Sequence, residues 1–311
     1  VYSGATVGWT PASDIVSAFE PVAPPTQKAL FGFGTTGSYT AVTNLVNSSG
    51  VVGSDVTGVG TARHGLAAAN FGGDKAIFGY GYSSAARVAT TNLVSNEGVV
   101  ASDTSGVGSV RYHLAAATFG GDKAIFGYGN TGSMVSITNL VSSSGVVATD
   151  TTGVGTARNG LGAAEFGVGL AIFAYGNGGS DVSMSNLVSN LGVVATDVSG
   201  VGTARRFLAA ASYGGDKAIF GYGIGGSSTA TTNLVNSSGA VASDVSGVGT
   251  ARAELAATSY GGDKAIFGYG VTGSNVSMTN LVNNSGVVAA DVDGVGTARN
   301  TLAAAGYSFS T

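Results

Sequence analysis

Residues 71–81 read FGGDKAIFGYG, and the same residues return unchanged at 119–129. With Tyr in place of the leading Phe they return again at 213–223 and 260–270. Copies spaced this evenly declare a structural period before they declare any chemistry. The lysine of the stretch stands at Lys28, Lys75, Lys123, Lys217 and Lys264, with Leu170 in the equivalent slot, so the steps are 47 or 48 residues. A second mark agrees. Arg63, Arg111, Arg158, Arg205, Arg252 and Arg299 each precede a leucine by three positions. The chain therefore holds six units of about 47 residues.

Each unit divides into four runs, here named a to d. In the third unit they are LAAATF (114–119), KAIFGY (123–128), SITNLVS (136–142) and VVATDTT (146–152). Glycine-rich turn signals separate them. Four short strands at this period predict a β-propeller blade. The whole predicts an all-β, six-bladed propeller of four-stranded antiparallel blades. Run a is alanine-rich, as strands crowding one axis require. In run b, Ala76, Phe78 and Tyr80 share one face while Ile77, Gly79 and Gly81 share the other. Aromatics of one blade are thus expected to fill the space above glycines of the next. The recurring aspartate of run d (Asp55, Asp103, Asp150, Asp197, Asp244, Asp291) is expected to blunt an outer edge by its charge. The first unit lacks a run a, and Leu302 to Phe309 is a run a without a unit. The C-terminal strand is therefore expected to pair with the strand beginning at Lys28 and close the ring. Residues 28–311 form the repeat region, and residues 1–27 read as an arm or the stub of an upstream region.

Composition narrows the function classes. The 311 residues include 53 glycines and no cysteine, and 10% are charged, against about 25% in an ordinary domain. Disulfides and thiolate metal sites are excluded. A net charge of −4 leaves no basic footprint for nucleic acid. No apolar run approaches the ~18 residues of a membrane span. GVGTAR begins like a dinucleotide-binding loop but lacks the third glycine and any following helix signal, and it recurs in every unit, so it reads as a turn. One carboxylate per GGD turn falls far short of a calcium site. His64 and His113 have no nucleophile beside them. Glu97, Glu165, Asp181, Glu254 and Asp293 form no repeated acidic pair. The chain reads as non-enzymatic, without metal or cofactor.

RxxLAAAxFGGDKAIFGYG resembles the kelch repeat over residues 28–309, although the Tyr and Trp spacing of kelch is absent and Trp9 lies outside the repeats. The chain is more closely similar to glycine-, threonine- and valine-rich kelch-like proteins of marine bacteriophages. That resemblance implies a virion component, associated with tail or capsid, which recognises a host surface glycan or protein. It places other virion proteins against the N-terminal arm or the constant face, and it implies a virion or extracellular location. The alternative is a secreted or cell-surface propeller lectin or scaffold outside any virus.

The six units are internal copies, so their differences carry information. The a–b and c–d turns vary little. The d–a and b–c turns vary most, and in an up-and-down blade these emerge on the same side. The candidate ligand-binding set on that variable face is Tyr82, Arg87, Tyr112, His113, Asn159, Arg206 and Phe207, with Tyr39 beside it. Loops on a rigid scaffold are where binding residues concentrate. The six repeat arginines are expected to be structural, bonded to turn carbonyls or to an aspartate such as Asp55.

Overall fold

The structure, a computed structural model, describes residues 26–310. It contains six three-stranded antiparallel sheets, one per unit, and no helix among the described residues. The arm expected over residues 1–27 lies mostly outside the described residues. Thr26 and Gln27 are tied to the sheets, with the Gln27 amide donating to Ser308 and its carbonyl accepting from Gly261.

The second sheet shows the pattern. Ala67–Phe71, Lys75–Gly79 and Thr91–Val94 pair in that order. The Gly72–Gly73 turn between the first two has φ of 59° and 80°. The pair Phe71↔Lys75 leaves three turn residues, and the first two take a positive φ that glycine adopts without steric cost, which explains the repeated glycine pair.

Run d does not form the expected fourth strand. It makes two isolated bridges to run c, Val94↔Val100 and Thr91↔Thr104, with the register shifted by one residue between them. The extra residue breaks the ladder as a bulge does. A side chain repairs the break: Asn92 Nδ2 donates to the Ala101 carbonyl at 3.0 Å. The equivalent asparagines Asn44, Asn139, Asn186, Asn233 and Asn280 do the same.

The aspartate of run d is likewise more than an edge charge. Asp103 accepts from the Thr61 amide, from Thr61 Oγ1 at 2.6 Å and from Asn92 Nδ2 at 2.9 Å. It thereby holds the segment that leads into its own sheet. Burial alone would raise the Asp103 pKa, but these bonds and the charge of Arg63 outweigh it and hold the carboxyl below its ordinary value. Arg63 completes the unit. Its Nη2 donates to Asn92 Oδ1 at 2.7 Å, its Nε to the Tyr80 carbonyl at 2.8 Å and its Nη1 to the Thr61 carbonyl at 3.1 Å. Its guanidinium lies 4.3 Å from the ring centroid of Phe33, which belongs to the preceding sheet. All six repeat arginines are fully buried at 0% exposure, so none lines an open channel mouth. All six donate to backbone carbonyls and five of them, Arg299 being the exception, also to an asparagine side-chain oxygen, with an aspartate close by.

The first sheet joins the first and last strands of the described residues. Ala303–Tyr307 pairs with Lys28–Gly32, from Lys28↔Tyr307 to Gly32↔Ala303. The same polar unit forms across it, Thr297 with Asp55 and Arg299 Nε with the Phe33 carbonyl. Two cycles of backbone hydrogen bonds then run from sheet to sheet. In one, the amides of Gly65, Thr301, Glu254, Phe207, Gly160 and His113 donate to the carbonyls of Thr301, Glu254, Phe207, Gly160, His113 and Gly65 in turn, at 2.7–2.9 Å. In the other, the a–b turns are linked in the opposite sense, from Gly72 to Asp122 onward and back through Ser308 to Asp74. Both cycles close on themselves.

The core consists of seams between neighbouring sheets. A Cβ placed on Gly79 would stand 2.7 Å from Phe126 Cζ, and Gly32, Gly127, Gly221 and Gly268 face Phe78, Phe173, Phe267 and Phe31 in the same way. The expected aromatic-over-glycine packing is thus present. The fourth sheet varies it instructively. Elsewhere an alanine pairs with this glycine, as Ala67↔Gly79, but here the pair is Gly162↔Ala174. Phe220 of the fifth sheet sits over Gly162 instead. The methyl group has changed strands and the facing ring has followed the space. Gly79→Ala alone is therefore expected to cost about 1–3 kcal/mol through overpacking. Ala67→Gly added to it should recover most of the loss, short of the ~0.5–1 kcal/mol penalty of a strand glycine. Thermal melting of the two variants measures this; a double variant no better than the single would refute it.

Candidate functional site

The d–a and b–c turns meet on one side, as the strand order requires. Tyr112 bridges to Asn130, Asn159 to Asn177, Arg206 to Ile224 and Asn300 to Thr35. The a–b and c–d turns meet on the other, where a Cβ on Gly72 would approach the Ser143 carbonyl.

On the variable side, the residue two places after each repeat arginine has positive φ: Gly65, His113, Gly160, Phe207, Glu254 and Thr301, between 48° and 61°. Four of these carry side chains in a conformation that suits glycine. The closed cycle of amides holds them there. Their side chains surround a shallow cavity of about 70 Å³ floored by Leu66, Leu114, Leu161, Leu208, Leu255 and Leu302.

From this mouth an aromatic cluster spreads across the first three sheets. Tyr39 stacks on His64 with centroids 4.8 Å apart and planes at 29°. His64 lies 5.9 Å from Tyr82 and 6.2 Å from Tyr112. Tyr82 meets Tyr112 edge-on at 5.6 Å, and Tyr112 lies 4.3 Å from His113. His113 meets Phe207 at 4.9 Å across the mouth. The Arg87 guanidinium lies 6.0 Å from the Tyr82 ring and 5.4 Å from the Tyr112 ring. All these side chains are half-buried.

The polar atoms of the cluster are underused. Among the described residues, His64 Nδ1, His113 Nε2 and Arg87 Nε have no hydrogen-bond partner. Burial, with a smaller contribution from His64, pushes the His113 pKa down to about 4, and burial lowers that of His64. Both rings are therefore neutral at pH 7 and offer flat faces plus one free nitrogen each. Arg87 carries the positive charge, and no carboxylate pairs with it among the described residues.

Of the candidate residues, Tyr82, Arg87, Tyr112, His113 and Phe207 come together here. Arg206 lies 5.7 Å from the Phe207 ring but is held by Asp181 at 2.7 Å, which in turn accepts from Asn177. Asn159 makes no ring contact and contributes its backbone to the loop bridge. His64, set aside in the sequence as a catalytic group, stands at the centre of the cluster as a stacking partner. The signal for it was its place in the same variable turn as Tyr112.

Glu165 lies elsewhere, lining a cavity together with a–b turn residues such as Gly167 and Gly215. A search finds no family model that matches the chain, and no curated protein matches it.

Proposed function

We propose that the six sheets form a closed, kelch-like six-bladed β-propeller that serves as a non-enzymatic recognition module, displayed on a phage tail or capsid. Its variable face binds a surface glycan or protein of the host. The two closed cycles of backbone hydrogen bonds and the paired chain ends support the ring. The aromatic run from Tyr39 to Phe207, carrying three unpartnered polar nitrogens, supports recognition. Concave sites combine apolar rings with a few convergent polar groups in this manner, and Tyr and Arg dominate interface hot spots. The alternative, a secreted or cell-surface lectin, uses the same face, and the presence or absence of the chain in purified virions separates the two.

The test is substitution on one face at a time. Tyr112→Ala is expected to weaken attachment to host cells or glycans by roughly tenfold or more while melting changes little. Phe207→Ala should act in the same direction with a larger effect on melting, because Phe207 also closes the mouth above Gly160. Changes at Ser143 and Ser237, on the opposite face, should leave attachment intact. Attachment lost with the serine variants and kept with Tyr112→Ala would overturn the assignment.

A further inference from the structure

The inner strands present one side chain each to the lumen at a common level: Asn70, Thr118, Glu165, Ser212, Ser259 and, with no side chain, Gly306. Five of the six are small or neutral. The sixth is a carboxylate. The five side chains line a cavity of about 140 Å³, far more than the ~10–15 Å³ that one water requires.

The hydrogen bonds around this cavity favour one kind of occupant. Ser212 Oγ donates to the Glu165 carbonyl at 2.8 Å, and Thr118 Oγ1 donates to the Asn70 carbonyl at 3.2 Å. Their protons are spent on the backbone, so these oxygens face the cavity as acceptors. Asn70 Oδ1 accepts from the Gly306 amide at 3.1 Å, which leaves the Asn70 amide protons as the opposing donor. Thr26 Oγ1, also in the lining, is buried without a partner. Among the described residues, the Glu165 carboxylate forms no hydrogen bond or ion pair. Lys217 and Asp216 reach the rim but neutralise each other at 2.8 Å. The lining is thus rich in oxygen acceptors, and its one unmatched charge is negative.

We propose that the lumen is a binding site for a small singly charged cation, held by the Glu165 carboxylate with the hydroxyl oxygens of Thr118 and Ser212. One carboxylate suits one positive charge and falls short of the charge and ligand count that a divalent ion requires. The ligand chemistry is that of an alkali ion or a protonated primary amine, and both fit the volume. Without such a partner the enclosed carboxyl is destabilised as an anion. The lumen admits water, so Glu165 is only half-buried by surface, yet protein surrounds it closely enough that desolvation pushes its pKa up to about 7. The fourth unit departs from the repeat near this position too, since Gly167–Leu170 reads GVGL where Gly72–Lys75 reads GGDK.

The full chain is melted at pH 8 and constant ionic strength in sodium, potassium, ammonium or putrescine chloride, against tetramethylammonium chloride. A small cation that binds the folded state should raise the melting temperature with its logarithmic concentration, by about 2–4 °C at saturating levels. Glu165→Gln should abolish that increment. In parallel, ¹³C NMR of the Glu165 carboxyl in the unaltered protein should show its pKa falling when the cation is added, which keeps the test valid if the variant folds poorly. A response to sodium or potassium alone assigns an alkali site, and a response to ammonium or putrescine alone assigns an amine site. Equal melting in every salt with an unmoved Glu165 titration, or the same increment in Glu165→Gln, would overturn the proposal.

Discussion

Deletion of residues 300–311 is expected to abolish cooperative melting and drive the protein to aggregate. The segment supplies the third strand of the first sheet, Ala303–Tyr307. Leu302 and Tyr307 within it are 6% and 3% exposed, and each large apolar side chain contributes about 1.5–3 kcal/mol on burial. Their loss alone removes a sizeable part of the ~5–15 kcal/mol by which domains are stable. The greater damage is topological. Thr301 is a member of one hydrogen-bond cycle and Ser308 of the other, so the deletion opens both at the same seam. Lys28–Gly32 is left as an unpaired edge carrying Leu30 and Phe31, and exposed apolar edges recruit other chains. Size-exclusion chromatography and calorimetry measure the outcome. A synthetic peptide of residues 300–311 should restore a monomeric, cooperatively melting species by adding back the missing strand. A truncated protein that melts like its parent would show that the seam carries no stability.

The regular features of this fold were legible because the sequence repeats them. The period, the Ala, Phe and Gly placement and the orphan strand after Leu302 all follow from counting, and Gly79 lies under Phe126 as alternation on the strand demands. What counting could not reach is contact between runs distant in sequence. Asp103 and Thr61 stand about a full repeat apart, and only the curl of the outer run brings them together. Periodicity showed an outer aspartate and suggested an edge charge. The hydrogen-bonded unit it builds depends on a register slip that no residue pattern announces. The same holds for the candidate site. Variable turns pointed to Tyr82 and Tyr112, but that Tyr39 of one unit stacks on His64 of the next is set by how adjacent sheets splay. Arg206 read as a candidate binding group, and its partner Asp181 stayed out of view because it comes from a different loop. Glu165 was visible as a residue without an acidic mate. Its enclosure depends on which strands line the same cavity, and no residue pattern carries that.

The buried arginines carry the second large prediction. Arg205→Met is expected to cost about 3–5 kcal/mol, because it leaves buried partners uncompensated. Methionine matches much of the volume, so the loss reports polar pairing more than a cavity. The orphaned groups are the Tyr222 carbonyl, the Thr203 carbonyl and Asn233 Oδ1, which Arg205 holds at 2.9, 3.1 and 2.7 Å. The cation over the Tyr175 ring at 4.3 Å is lost with them. A change of this size lowers the melting temperature by roughly 10 °C in a chain of this length. The variant should also become more sensitive to acid. In the parent, burial raises the Asp244 pKa, but bonds from Thr203 and Asn233 and the charge of Arg205 outweigh it, so the net shift is downward. A depressed carboxylate stabilises the fold above its unfolded pKa of about 3.9 and loses that contribution as pH falls through the folded value. Without Arg205 the folded pKa rises and the loss begins at higher pH. Asn233 bridges the two, donating to Asp244 and accepting from Arg205, so the three form one network. Arg205→Met combined with Asn233→Leu should therefore cost less than the two single losses added together. Strict additivity, or an Arg205→Met cost below about 1 kcal/mol, would mean that the stacked arginine is held by its neighbours without holding them in return.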